Sequence, residues 1–408
     1  MTLTTDAGHL VGQLVTPAGR ERPYPLYQQL HAHGQAAEIP GGLVLVCGHA
    51  EAVAALRDPR LAVEDAAWLD RIFPAWREHP SRVLLNNSMV FVNGRDHEQM
   101  RCLVSRTFTA RRVDELRPAI ARRVNSLLDR LADLGGGGAA VEYMAEFAFL
   151  MPLNVICDLL GVPEADRVGF REPIASLAAV IEPGSLNTDL SAADRAAEEL
   201  AGYFAGLIAD RRSHPRTDLL TAMTSVNDRA DRPLSEECLV ANAIFLLLAG
   251  FESTIGLLGN GLMLLLERPA ALARLRACPQ EAPAFVEEML RCEAPVQLTG
   301  RRASAGTEVG GIDVPAGGSV IVLMGAANRD PRRFADPDRF DPDRPDNQPL
   351  SFGGGVHYCL GARLARLEAQ VAFPLLLRRF PRVALAGTPI HLDRLNLRAY
   401  ATLLLTLT

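Results

Sequence analysis

One long, mostly apolar segment limits this 408-residue chain more than any other feature. PLSEECLVANAIFLLLAGFESTIGLLGNGLMLLLERP runs from Pro233 to Pro269. Ser235 is placed to cap a helix, Glu236 and Glu237 suit its positive end, and Pro269 stops it. At 1.5 Å per residue such a helix spans roughly 50 Å, enough to cross a whole domain. Its most apolar part, residues 243–266, is interrupted by Glu252, Asn260 and four glycines. It therefore reads as a buried core helix rather than a membrane span.

Other helical patterns surround it. Val113, Leu116, Ile120, Val124, Leu127, Leu131 and Leu134 recur at spacings of three and four, ahead of four glycines, which predicts one amphipathic helix over 113–134. Further helices are expected over 144–160 and 192–212, with a mobile loop at 182–194 between them. Leu43–Val46 reads as a short strand, residues 308–324 as a small hairpin and residues 401–408 as a terminal strand. The irregular segment 62–92 carries Trp68, Phe73 and Trp76, and reads as a loop covering core, with a substrate lid as the alternative. With no repeat and no linker, the expectation is a single domain over residues 1–408, mainly α with small β-sheets. Residues 1–20 are expected to be loosely ordered.

Composition narrows the chemistry. Net charge is −6 and aromatics are 6%, which argues against a nucleic-acid partner. All 42 Lys+Arg residues are arginine. That excludes a lysine Schiff base and a Walker-type phosphate loop, and favours planar, bidentate contacts to anions. The seven cysteines are scattered and include no C-x-x-C pair, so neither a zinc site nor a disulfide framework is expected. The N-terminus lacks a basic region followed by an apolar run. A cytoplasmic location is expected.

One cysteine stands apart. In SFGGGVHYCLGARLARLEAQ, Cys359 follows three glycines and precedes an amphipathic stretch. Glycines let backbone N–H groups turn toward the sulfur, and a following helix points its positive end at it. Both favour a thiolate, and a metal ion completes the deprotonation. A lone thiolate suits a haem iron, whose equatorial ligands come from the porphyrin.

The spacing Phe352-Gly353-x-Gly355-x-His357-x-Cys359-x-Gly361 resembles the haem-binding loop of the cytochrome P-450 monooxygenases, where the matching cysteine is the proximal ligand. Other motifs follow in the family's order. Glu288 and Arg291 resemble its E-x-x-R pair, with Arg339 of DPDRFDP as the implied third member. His97 and Arg101 match H-x-x-x-R, which binds haem propionates, as do Arg301 (with Arg302 the competing choice) and His357. AGFEST resembles A-G-x-(D/E)-T. Ala249 and Gly250 allow close approach to the haem, and Glu252 and Ser253 sit where proton delivery occurs. The usual threonine is serine here, followed by Thr254.

The resemblance covers the chain from about residue 20 onward and implies the cytochrome P-450 fold, haem b ligated by Cys359, and monooxygenation of a lipophilic organic substrate. The substrate class is a polyketide or peptide natural product, free or carrier-bound. Implied substrate contacts are Phe245, Ala249, Val296, Gln297, Leu298 and Leu397, with segments 62–92, 181–190 and 397–400. Electrons come from NAD(P)H through ferredoxin reductase and ferredoxin. Arg363, Arg366, Arg106, Arg111 and Arg112 are either docking groups for that partner or solvated surface. The implied protein is a monomer without membrane insertion. Oxidative coupling or desaturation without oxygen insertion, and haem binding without turnover, are the rival functions.

Overall fold

The structure is a computed structural model. It describes the chain from Leu3 to Thr408, apart from the side chains of residues 3–6, 106, 107 and 187. The chain divides into two compact units: Met1–Ala62 with Arg117–Leu150 and Ser253–Thr408, and Val63–Leu116 with Met151–Glu252.

The first unit holds the sheets. Its largest has five strands in the order Ala36–Ile39, Leu43–Val46, Ser319–Leu323, Leu298–Ala303, Leu61–Ala62. Leu43–Val46 runs parallel to Ser319–Leu323, which pairs antiparallel with Leu298–Ala303 so that Arg301 faces Val320. The expected hairpin over 308–324 is smaller than its sequence suggested. Thr307–Val309 pairs with Ile312–Val314, and Ser319–Leu323 leaves to join the large sheet. Val44, Val46, Val320 and Val322 are buried between this sheet and Ala52, Ala55 and Leu56 of helix His49–Arg57.

The predicted helix over 113–134 is two helices, Ala110–Glu115 and Arg117–Leu134, divided ahead of Pro118. Proline restricts the residue before it, so the period continues where the backbone does not. In the second helix Ile120, Val124, Leu127, Leu128 and Leu131 are buried, and it packs on helix Ala362–Arg379. The N-terminal residues were expected to be loosely ordered, yet Leu3–Leu14 and Pro17–Glu21 are helical. Leu10 and Leu14 join a core with Tyr27, Leu30 and Leu45, which provides the apolar burial that holds them.

The second unit is helical. Ser191–Ser213 packs against Arg171–Ala178, Pro80–Asn86 and Leu219–Asn227. Segment 62–92 folds into Ala66–Ile72, a 3-10 turn Pro74–Glu78, and Pro80–Asn86. Trp76 is buried and donates to Asp70 Oδ1 at 2.8 Å, which fits the reading of this segment as a cover for core.

The long helix is Glu236–Leu266, with 31 residues or roughly 46 Å. Among the described residues it is the one helix long and apolar enough to cross a membrane, and over half of its most apolar window is buried within the protein.

Candidate active site

The loop before Cys359 is built by its glycines. Gly353 and Gly355 adopt φ of +69° and +66°, the left-handed region that L side chains avoid. A Cβ on Gly355 would also lie 2.1 Å from the Leu56 carbonyl oxygen. Gly355→Ala is thus expected to displace the loop from helix His49–Arg57 and to cost about 1–3 kcal/mol. A lower thermal midpoint together with weakened haem retention checks this.

Short turns close the loop. Gly353 N donates to Leu350 O at 2.8 Å, Tyr358 N to Gly355 O at 3.1 Å, and Cys359 N to Phe352 O at 3.0 Å. The helix Ala362–Arg379 starts three residues after Cys359. The positive end of the helix dipole therefore lies near the sulfur. Cys359 is exposed, whereas Cys47, Cys157 and Cys292 are buried and their thiols are pushed up to about 12, chiefly by burial. Those three are held protonated and inert; Cys359 has a different environment.

A buried brace holds the loop's approach. Glu288 and Arg291 are both fully buried, with Arg291 Nη2 to Glu288 Oε1 at 2.7 Å and Nε to Oε2 at 2.8 Å. Arg291 also donates to the carbonyls of Asn328, Pro337 and Arg339. The third arginine is not the expected Arg339. Its side chain is 69% exposed, and only its carbonyl joins the brace. Arg344, five residues on and half-buried with its side chain turned inward, places Nε 3.5 Å from Glu288 Oε1, and Asn347 Nδ2 donates to Oε2 at 3.0 Å. The path of the loop decides which arginine turns inward, and sequence spacing does not contain that path. Asn328, in the stretch Ala327–Pro331, ties the brace to the cysteine loop. Its Oδ1 accepts from Leu350 N at 2.6 Å and its Nδ2 donates to Ser351 Oγ at 2.8 Å. Ser351 Oγ in turn donates to Leu290 O at 2.6 Å.

Arg301 is buried, and among the described residues its guanidinium meets only Thr299 Oγ1 at 2.9 Å and Gly300 O at 2.7 Å. Burial alone pulls it down to about 10. A buried cation with no carboxylate facing it fits a site for an anionic group. Of the competing pair, Arg302 is half-buried and donates to Gly317 O at 2.6 Å.

In the second unit, His97 and Arg101 lie one turn apart on helix Gly94–Thr107. His97 is buried, and burial followed by the Arg101 charge lowers its pKa, favouring a neutral ring. On the long helix, Phe245, Ala249, Glu252 and Ser253 share a face by their spacing. They are half-buried or exposed, while Leu246, Leu247, Leu248, Phe251 and Thr254 are buried. Glu252 is half-buried. Ser253 rather than Thr254 is the accessible hydroxyl. Gly250 belongs to a close contact, since a Cβ there would come within 2.8 Å of Ile156 Cγ1.

Val296 and Leu397 form a bridge between two segments expected to touch substrate. Arg398 N donates to Pro295 O at 2.7 Å and Gln297 N to Asn396 O at 2.8 Å. Behind them, Glu293 accepts from Arg398 and from Tyr24, each at 2.6 Å. Burial pushes the Glu293 carboxyl up, but Arg398 and Arg329 outweigh it and hold it below the usual range. Gln297 is buried, and its two internal side-chain bonds leave one acceptor lone pair and one N–H. Its Oε1 accepts from Tyr27 at 2.8 Å and its Nε2 donates to Ala294 O at 2.6 Å.

Glu368, on the helix after Cys359, is fully buried, and neither carboxyl oxygen has a hydrogen-bond partner. Burial raises its pKa well above the usual value, so the folded protein favours the neutral acid. Stability from this group is present below the unfolded carboxyl pKa and is lost as pH rises above it. Glu368→Gln is expected to raise the thermal midpoint at pH 8 by about 2–4 °C and to change it little at pH 4.5. Paired melts at the two pH values check the sign.

The residues fit a haem. An exposed cysteine stands at a helix start, positive-φ glycines turn the loop ahead of it, and Arg301 is buried without a counter-charge. Among the described residues no cluster of three His, Cys, Asp or Glu side chains offers a rival metal site.

Comparison with known proteins agrees. The family model described as cytochrome P450 matches residues 282–392. The chain is 38% identical over 372 residues to the cytochrome P450 monooxygenase PikC of Streptomyces venezuelae, covering 90% of this chain and 86% of that protein. It is 40% identical over 346 residues to 6-deoxyerythronolide B hydroxylase of Saccharopolyspora erythraea, covering 84% and 83%. The solved structure of P450BioI in complex with a hexadec-9Z-enoic acid ligated acyl carrier protein superposes with a TM-score of 0.87 at 34% identity, over 96% of this chain and 99% of that one. With the cysteine loop, the buried brace and the long helix in one chain that matches such relatives along nearly its whole length, the protein belongs to the cytochrome P450 family.

Proposed function

We propose that this enzyme hydroxylates or epoxidises a lipophilic natural-product substrate, of polyketide or peptide type, at a haem b held by Cys359. The observation that carries the reading is the exposed Cys359, alone before a helix, in the same unit as a buried Arg301 that lacks a counter-charge. When bound, the haem supplies reductive activation of dioxygen, and thiolate donation favours O–O cleavage.

The chain's own residues do the rest. Arg301, His97, Arg101 and His357 hold the propionates, and Phe352, Gly353 and Gly361 shape the loop around the sulfur. Ala249 and Gly250 keep the long helix narrow where the cofactor approaches. Glu252 and the Ser253 hydroxyl hold and pass protons. Phe245, Ala249, Val296, Leu298 and Leu397 offer an apolar lining, and the backbone of Gln297 adds to it. The apolar character of these side chains, which the family resemblance assigns to substrate contact, supports the lipophilic class.

We propose that residues 1–408 act as a single catalytic domain in the cytoplasm, as a monomer. Relatives aligned over most of the chain support this. NAD(P)H, a ferredoxin reductase and a ferredoxin supply electrons. Exposed Arg363, Arg111 and Arg112 are the candidate docking cations. Arg366 is weaker, because Glu287 neutralises it at 3.1 Å and it lies 4.3 Å above the Phe352 ring. The Arg106 side chain lies outside the described residues.

The test begins with the reduced carbon-monoxide spectrum of the purified protein. A strongly red-shifted Soret band is expected, and a colourless protein overturns the reading. Products formed under labelled dioxygen then separate oxygen insertion from coupling or desaturation.

A further inference from the structure

Five arginines are buried among the described residues: Arg82, Arg167, Arg211, Arg291 and Arg301. Three face a carboxylate. Arg167 meets Asp158 at 2.7 Å, Arg211 meets Asp218 at 2.5 Å, and Arg291 meets Glu288 at 2.7 Å. Arg301 faces none and is assigned above to the haem propionates. Arg82, 9% exposed, is left over.

Arg82 lies on helix Pro80–Asn86, within segment 62–92. Its Nη2 donates to Ser185 Oγ at 3.0 Å and its Nη1 makes a long contact of 3.5 Å to Val180 O. Nε is buried with no hydrogen-bond partner. Of five N–H donors, two have acceptors, and one of these bonds is poor. Burial lowers the Arg82 pKa, and Glu64 followed by Asp194 oppose it only in part and through space. Asp194 is already occupied by Ser81 N, Ser81 Oγ and His79 Nδ1 at 3.1, 2.6 and 2.8 Å.

Burying a guanidinium without an anion is costly. A neutral side chain would link a hydroxyl to a carbonyl without that cost. Ser185 lies in segment 181–190, so both segments that meet at Arg82 are ones proposed to touch substrate.

We propose that Arg82 binds the anionic end of the substrate, and that the substrate is a lipophilic carboxylic acid. The carboxylate takes the Nε edge of the guanidinium as a bidentate partner, beside the Ser185 hydroxyl. The acid end is therefore free, because a carrier thioester there has no charge to offer. This inference rests on the proposed function and on the substrate role that the family resemblance implies for the two segments.

The test uses the haem-loaded enzyme and a panel of straight-chain acids, decanoic to hexadecanoic, each with its methyl ester. Binding is measured by calorimetry and by the substrate-induced shift of the Soret band. At least one acid is expected to bind about 10- to 100-fold more tightly than its ester. Arg82→Gln is expected to remove that preference and leave ester binding unchanged, while Arg82→Lys keeps part of it. The inference is overturned if every ester binds as well as its acid, if no acid binds, or if Arg82→Gln weakens acids and esters equally, which is the result for a purely structural link. The acid–ester comparison on the unaltered enzyme stands even if the variant does not fold. A normal reduced carbon-monoxide spectrum with no acid preference sinks this inference alone; an absent spectrum sinks the proposed function.

Discussion

Arg291→Ala is expected to lower stability by about 3–5 kcal/mol, a large share of the total that holds a folded domain together. The change removes the guanidinium that neutralises Glu288 and leaves that carboxylate fully buried. Arg344 is the only other described cation near it, at 3.5 Å, and it does not replace two bonds of 2.7 and 2.8 Å. The carbonyls of Asn328 and Pro337 lose the Arg291 donor as well, while that of Arg339 keeps Arg344 Nη2 at 3.2 Å. Burial of unpaired polar groups multiplies the cost. Glu288→Leu with Arg291→Met removes both charges and is expected to recover part of the loss, because a well-packed apolar pair avoids desolvation. Denaturant midpoints for the single and double variants check this. Equal midpoints for Arg291→Ala and the parent would show that the brace carries no stability.

The brace also shows where sequence pattern ends. Glu288 and Arg291 are legible because a helix places residues three apart on one face. Their third partner is not, since Arg339 and Arg344 both lie in an irregular loop and only its path buries one of them. The role of Asn328 in fixing Leu350 and Ser351 is invisible for the same reason: it joins segments 22 and 23 residues apart through side-chain bonds. Periodicity located the helices well but overran at Pro118 and underestimated the N-terminus, where Leu10 and Leu14 are ordered by contacts with Tyr27, Leu30 and Leu45. The cysteine loop was the most legible element, because its glycines are demanded by local backbone geometry, which sequence does encode. Arg82 was not legible at all. Nothing in SRVLL distinguishes a buried guanidinium from a solvated one.

Cys359→Ala is expected to abolish the red-shifted reduced carbon-monoxide band and to lower monooxygenase turnover by at least about a thousandfold, or ~4 kcal/mol of barrier. The loss is chemical rather than structural. Cys359 is exposed and its backbone N–H, which closes the loop on Phe352 O at 3.0 Å, survives the change. An exposed side chain cut to alanine usually shifts stability by no more than ~0.5 kcal/mol, so the melting point without haem should barely move. Cys278→Ala, a half-buried thiol outside the site, provides the contrast and should leave the spectrum intact. Of the remaining six cysteines, Cys47, Cys157 and Cys292 are buried with thiols that burial holds protonated, so those three offer no substitute thiolate. An alanine variant with an unaltered spectrum would move the iron ligand to another residue, and with it the roles given to Arg301, Glu252 and Ser253.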